Sequence, residues 1–550
     1  MIINTFRSII SDINSFLWNE YWIIVIALTG LIFTIWSGFS QYKIIRHAPK
    51  ILRGDHNNQD DSGIINHFQA LTTALSGTVG LGNISGVALA ITLGGPGAIF
   101  WMWIIAIFGM SIKLIEVTLS MLYRNIDNPD NPHGGPMWVA DIGFKKLFPR
   151  YSKLGKIIAI MFSVSIITSS VTGGNMFQAW SVADVTYEYF GVEGWISGLL
   201  MSVIVAAVIL GGIKRIAKVT AMIVPIMVTL YMLAGIYVLG VKFNEIPEMF
   251  RLIVLSAFTT SEASGAFIGG SVGTAFMYGT KRAIFSNEAG QGSSPIVHAA
   301  VKTNEPAREG IIAGIEPLID TIVVCTFTAL IILSTGIWDR NEDVQFSAPP
   351  IITNEGEIWS FSDTTHRDKS GKEGDPVIMH IIANYNEITG QYIHKVPGQI
   401  VSNNNSLEIK WEDFRSSETP KIHGEGYYFD YVGATLTAKA FDSVSAGLGK
   451  WLITIASWFF AISTIMAWGY YGEQGLIYLL GENSVFTYRI IYCSLIFIAT
   501  LGLIETSIDL DNLSGIGLGI IVYANLPICW IFGYRAINAY KDYIKSERIQ

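Results

Sequence analysis

Charge is scarce in this sequence. Lys, Arg, Asp and Glu make up 15% of its 550 residues, while 51% are apolar. A soluble domain carries about a quarter charged residues, so the deficit and the many long apolar runs indicate a polytopic membrane protein. Cysteine is scarcer still. Cys325, Cys493 and Cys529 each lie in an apolar run, and without a CxxC spacing they read as small core hydrophobes, not a metal or redox pair. No basic stripe suits nucleic acid. The net charge of −8 says little about partners, because the charges sit in loops. The first 19 residues are mixed and lack the small-residue cleavage site of a secretory signal. The apolar runs contain no His/Glu metal spacing and no Ser/His/Asp constellation, which speaks against a membrane enzyme.

What is present is glycine in unexpected places. Residues 72–93, TTALSGTVGLGNISGVALAITL, are apolar enough for a membrane, yet the middle carries Gly77, Gly80, Gly82 and Gly86 among Ser76, Thr78, Asn83 and Ser85. Glycine is weakly helical and permits close backbone approach. Backbone that leaves the helix at membrane depth survives where protein buries it or where it lines a cavity. The stretch therefore predicts an interrupted helix with carbonyls and amides free for a ligand. The alternative is a continuous helix whose small residues pack against a neighbour.

Spans are expected at 21–39, 64–93, 98–123, 154–180, 195–210, 221–241, 265–300, 311–338, 448–471, 488–504 and 513–534, eleven in all. The basic loops 43–53, 124–153, 214–218 and 302–308 and the C-terminal tail fall on one side by this count, which the positive-inside bias makes cytoplasmic. The opposite loops 181–193 and 505–511 hold acids without Lys or Arg. The N-terminus is thus expected outside and the C-terminus in the cytoplasm of a cell (inner) membrane. The loop 471–484 should also be cytoplasmic but lacks Lys and Arg. Residues 243–262 read as a mixed connector.

Residues 339–431 differ in kind: polar, with short runs such as IHKVPGQIV and SLEIKWEDF that look like strands between turns. They are expected to form a small extracytoplasmic β- or loop-rich insert. Setting aside the first span, the first and sixth of the remaining ten are the interrupted ones. Breaks at matching places point to an inverted-repeat transporter with a midplane site. The chain then divides into 1–63 (extra span and basic loop), 64–241 (first repeat), 242–338 (connector and start of the second), 339–431 (insert), 432–534 (remainder) and 535–550 (tail).

The first break offers the carbonyls of Ser76, Gly77, Thr78 and Val79, the Thr78 hydroxyl and the Asn83 side chain. A hard cation such as Na+ needs oxygen ligands of this kind. Exposed amides at the next helix start attract a carboxylate. In the second break, Phe285 to Gly292 puts Glu288 and two amides beside two glycines. A membrane-depth acid needs a partner or water. Lys281 and Arg282 precede it, or Glu288 caps a cytoplasmic helix end. Phe285 either closes over a small ligand or packs. Ser463 and Thr464 place hydroxyls mid-membrane, and Thr464 shares a face with Trp468; such hydroxyls also bond back to their own helix. Gln178 reads as a substrate contact or an interfacial amide. Lys113 and Glu116 form an i,i+3 pair, and Glu316 and Asp320 lie one turn apart, as a gate network or a solvated helix end.

The motifs TALSGTVGLGNISGVALAI, GGPGAIFWMW, GGPMW, RAIFSNEAGQGSSPIVHAA, DTIVVCTFTALII and STIMAWGYYGE resemble the alanine or glycine:cation symporter family, in order, from about Phe68 to Tyr534 apart from the insert. VGLGN also resembles the first core helix of the leucine transporter and neurotransmitter symporters, whose fold the family shares. The resemblance implies an all-α, five-plus-five inverted repeat with broken first and sixth core helices, an extra N-terminal span, and Na+-coupled uptake of a small neutral amino acid with no organic cofactor. Carried over residue by residue, Thr78, Gly80, Gln178, Phe285, Thr464 and Trp468 would contact or cover substrate. Ser76, Val79, Ser463 and Thr464 would hold sodium, and Asn83 would sit where the symporters hold a second cation. Glu288, Arg282, Lys113 and Glu116 would form a gate or charge network. The insert and RAIF, where the family often has RGLF, are departures. A monomer in the lipid bilayer is expected, with no nucleic-acid partner. A proton-coupled carrier of the same fold, or a transporter-derived sensor signalling through the insert, are the alternatives.

Overall fold

The structure, a computed structural model, describes residues 2–54, 61–263, 265–366, 371–386, 389–403, 406–431, 433–502 and 507–547, without the side chains of 2–8, 355, 507–511 and 513. Three helices lead the chain: α1 (Ile2–Leu17), α2 (Glu20–Trp36) and α3 (Ser40–Leu52). Then come α4 (His67–Thr78), α5 (Val87–Gly94), α6 (Gly97–Leu122) and α7 (Pro136–Leu147), followed by α8 (Ser152–Val171), α9 (Phe177–Phe190), α10 (Gly194–Ile209) and α11 (Gly212–Val241). The connector holds α12 (Ile246–Ser256). Beyond it lie α13 (Val272–Asn287), α14 (Ser294–His298), α15 (Pro306–Ala313) and α16 (Thr326–Thr335). After the β-rich insert come α17 (Ala434–Asp442), α18 (Leu448–Leu480), α19 (Val485–Ile498) and α20 (Ser507–Glu547).

Among the described residues, seven helical stretches are long and apolar enough to cross a membrane, or eight if α4 and the helix after its break count as one. The α10 helix shows how composition meets environment. It buries Ser197, Gly198, Met201, Val205 and Ile209 on one stripe and exposes Leu199, Leu200, Val203 and Ile204. An apolar outer face of that kind suits lipid, where the hydrophobic effect no longer drives it inward.

The helices depart from the sequence-based bounds at their polar ends. α18 runs on to Leu480, so the connector expected at 471–484 shrinks to 481–484. The extension is possible because Glu473 is paired with Arg489 of α19 at 2.7 Å and so is not left as a bare charge. The span 154–180 continues past a π turn, Thr172–Met176, into α9. Of the loop 505–511, residues 505 and 506 lie outside the described residues, and α20 has already begun at Ser507.

The insert is a β domain. Its larger sheet is antiparallel, ordered β1 (Val344–Gln345), β9 (Lys421–Phe429), β5 (Pro376–Asn386), β6 (Gln391–Asn403), β7 (Ser406–Trp411) and β4 (Thr364–His366). A smaller sheet joins β2 (Ile352–Glu355), β3 (Ile358–Phe361) and β8 (Phe414–Arg415). Val377, Met379 and Ile381 alternate along β5 into a core with Ile400, Ile409 and Trp411, the period-2 pattern of a strand. The intervening Ile378 packs the other way, against Tyr428 and Ala266. That contact, and the Ala266 amide donating to the Arg340 carbonyl at 2.8 Å, hold the insert on the helical body.

Candidate functional site

The first break forms where the sequence is richest in glycine. α4 starts with a capping box, Asn66 and Gln69 bonding each other's backbone, and stops at Thr78. Val79 is extended, with φ −74° and ψ 97°. The helix restarts through a π turn, Gly82–Gly86, bent 52° from α4. The Gly80 amide is caught by the Asn83 side-chain oxygen at 2.8 Å. The Ser76 carbonyl, freed by the break, accepts from the Thr464 hydroxyl of α18 at 2.8 Å. Gly80 lets α18 come close there: a Cβ would lie 3.1 Å from that hydroxyl.

Of the four residues expected at sodium, Ser76 and Thr464 therefore touch. All four are buried. The Ser463 hydroxyl bonds back to the Phe460 carbonyl at 3.0 Å, and the Ser76 hydroxyl to the Thr73 carbonyl at 2.7 Å, as serines in helices often do. Rotation of the Ser463 and Thr464 hydroxyls would turn their lone pairs toward a cation beside the Ser76 carbonyl. The hydroxyls and carbonyls of these residues suit an oxygen-liganded ion in kind.

The second break lies at Glu288 to Ser293. Glu288 is left-handed at φ 56°, and Gly290 and Gly292 follow at 88° and 76°. A non-glycine residue in that region is strained. Glu288 is buried and its carboxylate accepts from the Ser293 hydroxyl. Asn525 of α20 secures the bend by donating to the Gly290 carbonyl and to Glu116, each at 2.9 Å. Lys281 and Arg282 stand over the Phe285 ring, 6.0 and 5.9 Å from its centre.

A cavity of about 1580 Å3 joins the two breaks. All six residues expected to meet substrate, Thr78, Gly80, Gln178, Phe285, Thr464 and Trp468, line it, as do Glu288 and Arg282. Ser76, Val79, Ser463, Asn83, Lys113 and Glu116 do not. Gln178 donates to the Gly173 carbonyl at 3.2 Å, while its side-chain oxygen is buried without a hydrogen-bond partner. The Trp468 side chain sits tight on the turn between α8 and α9, since a Cβ on Gly174 would come within 2.3 Å of its Cβ and 2.4 Å of its ring. The cavity reaches Lys372, Asp375, Asp430 and Tyr431 of the insert, so the insert walls its mouth.

The opposite end is shut. The 64–65 and 300–302 segments pair by main chain, the Ile64 amide to the Ala300 carbonyl and the Lys302 amide to the Ile65 carbonyl, both at 2.8 Å. The Arg124 guanidinium donates to the carbonyls of Ser62, Ala299, Val301 and Thr303.

The charged residues are arranged differently from the expectation. Lys113 reaches Glu316 at 3.1 Å and Glu116 only at 4.0 Å. Glu316 and Asp320 are fully buried and form no solvated helix end. Asp320 accepts from Asn83 at 2.6 Å and from Thr321 at 2.8 Å, and Ser286 also donates to it. Glu316 joins His298, Glu309 and His67. Sequence reasoning passed over His67, His298, Glu309, Ser286, Asn525 and Arg124. His298 and Ser286 lay inside a quoted motif; for Asn525, one amide in an apolar run was the available signal.

Two helices broken at facing glycine-rich turns, around a cavity closed at one end, define a secondary-transporter fold. A crystal structure of MhsT with L-phenylalanine superposes with a TM-score of 0.52, covering 87% of this chain and 93% of that one at 12% identity. The sequence profile of the sodium:alanine symporter family matches residues 3–355 and 423–550, and the chain belongs to that family. The unmatched stretch, 356–422, lies in the insert. The sodium/alanine symporter AgcS of Methanococcus maripaludis is 36% identical over 90% of this chain and 88% of its own. A putative sodium/proton-dependent alanine carrier of Bacillus subtilis, YrbD, is 29% identical over 98% and 93%. The chain is a multi-pass membrane protein with amino-acid symporters as relatives.

Proposed function

We propose that this protein is a Na+-coupled importer of alanine, glycine or a similar small neutral amino acid, working by alternating access. The observation that carries the reading is the meeting of the Ser76 carbonyl with the Thr464 hydroxyl at 2.8 Å, next to a cavity lined by Thr78, Gly80, Gln178, Phe285 and Trp468. Sodium binds between Ser76, Val79, Ser463 and Thr464, bridging the first break to α18. The substrate carboxylate takes the freed amides after the break. Trp468 and Phe285 limit side-chain size, and the unpartnered oxygen of Gln178 accepts from the ammonium group. Asn83, beside the Asp320 carboxylate, marks the place of a second cation.

In this reading eleven spans form two inverted groups of five after an extra first span, with the domain bounds expected from the sequence. The N-terminus and the insert lie outside, and the C-terminus is cytoplasmic in a cell (inner) membrane. The cavity then faces outward, and Arg124 with the 64–65 and 300–302 segments closes the cytoplasmic side. Glu288, Arg282, Lys113 and Glu116 belong to the charge network around the second break. The transporter acts as a monomer.

A proton-coupled carrier is the second reading; the buried carboxylates that contact His298 favour it. Counterflow in proteoliposomes separates the two. Preloaded alanine should exchange with external alanine or glycine in Na+ and not in K+. Exchange that proceeds in K+ under a pH gradient would reject sodium coupling.

A further inference from the structure

Beneath the cavity, on its closed side, lies a chain of ionisable groups to which the transport reading gives no task. His67 of α4 contacts one oxygen of Glu309 through Nδ1. The other Glu309 oxygen is 2.5 Å from His298 Nδ1. His298 Nε2 is 2.7 Å from Glu316 Oε1. All four side chains are buried, with Glu309, His298 and Glu316 fully so. The cavity lining includes none of them.

Proton counting makes this a site. A carboxylate accepts but does not donate, and a neutral imidazole carries one N–H. Three nitrogen–oxygen contacts need three bridging protons. Two neutral histidines supply two. The third must be taken up, as an imidazolium at His298 or a protonated carboxyl. With it, Glu309, Glu316, Lys113 and the histidines sum to zero charge; without it one negative charge is left in a dry interior, which is costly.

The place of the chain gives that proton a task. His67 sits on the half-helix before the first break, and His298 on the half-helix after the second. The two are hinged at Val79 and at Gly290 and Gly292. The chain ties them together just above the main-chain pairing that closes this side. Opening must move one half-helix from the other. The separated histidine then meets water and needs no third proton.

We propose that His67, Glu309, His298 and Glu316 form a proton-binding site that latches the two half-helices, so that the pH on the closed side governs how readily the transporter turns over. The inference rests on the transport reading. Other charged or titratable groups around the site are Lys113 and Glu116 of α6, Glu288 in the second break, Arg308 of α15 and Tyr471 of α18, which feels Glu288 and Glu316. Arg124 feels Glu309. Lys113 is held by Glu316, Arg308 stands over the Tyr543 ring and Arg124 is occupied by carbonyls, so these cations do not supply the bridging proton, which is shared within the His67–Glu309–His298–Glu316 chain itself.

The test is counterflow of alanine by the full-length protein in vesicles, with pH set separately on each face between 5.5 and 9 at fixed Na+. In the wild type, raising the pH on the latch side should speed exchange by up to about tenfold per unit on the titrating limb, the limit for one proton. The pH on the cavity side should have little effect. His298→Gln can still donate to a carboxylate through its amide N–H groups but cannot become a cation. It should keep exchange while its pH response flattens to less than about twofold across the range. A His298→Gln profile matching the wild type, a wild type flat on the latch side, or a response confined to the cavity side would each overturn the proposal. If His298→Gln does not fold, Glu309→Gln takes its place, and the one-sided response of the wild type still decides. Exchange absent at every pH would instead reject the transport reading.

Discussion

Replacing Thr464 by valine keeps the shape of the side chain and removes one hydroxyl. That hydroxyl donates to the Ser76 carbonyl at 2.8 Å in a buried place at the cavity wall. Its loss leaves the carbonyl without this donor and strips the proposed sodium site of an oxygen. Leaving a buried polar group unpaired costs about 1–3 kcal/mol. If the same interaction is lost to the cation, half-saturation by Na+ should rise roughly five- to 150-fold, at 1.4 kcal/mol per tenfold. Thr464→Ala should act in the same direction with an added cavity, while Thr464→Ser keeps the oxygen and should stay within a few-fold of the wild type. The assay is initial alanine uptake against Na+ concentration in proteoliposomes. Unchanged Na+ activation in the valine and alanine variants would refute the role given to this residue.

Trp468→Ala removes the ring that packs on Gly174 and lines the cavity; competition assays should show larger neutral amino acids gaining on alanine, and an unaltered ranking would count against Trp468 as the size limit. The insert should be dispensable for transport itself. Gln345 and Gly426 face each other across the β1–β9 pair, so excising residues 346–425 and joining those two should leave Na+-dependent uptake intact, while loss of uptake in a well-folded variant would show that the insert takes part. The insert should also be acid-labile. Burial, aided by Lys395, His423 and Arg340, lowers the pKa of His380 to about 3, whereas an unfolded chain takes up that proton near 6.5. The stability His380 contributes is therefore full above about 6.5 and is lost as the pH falls toward 3. Proteolysis of the insert strands in the intact protein should quicken between pH 7.5 and 5, and His380→Phe should flatten that dependence.

Much of the architecture was legible without coordinates because its signals are local. Glycines at 77, 80 and 82 weaken a helix at membrane depth, and α4 stops at Thr78. The same reasoning located the second break within 265–300. The insert stood out because its composition changes abruptly. Helix ends were less legible: Glu473 marks a loop when read alone, and the pairing with Arg489 is what allows α18 to pass it.

The sequence by itself determined the membrane class and the two interruptions, since hydropathy and backbone freedom are properties of a few neighbouring residues. The tertiary structure alone decided which buried charges meet. Lys113 lies three residues from Glu116 yet is held by Glu316, 203 positions away. Asp320 binds Asn83 of the first break, and His298 is gripped by two glutamates on the following helices. The physical reason is that a charge in a dry interior takes whichever partner packing brings within reach, and that partner's distance along the chain is set by the fold.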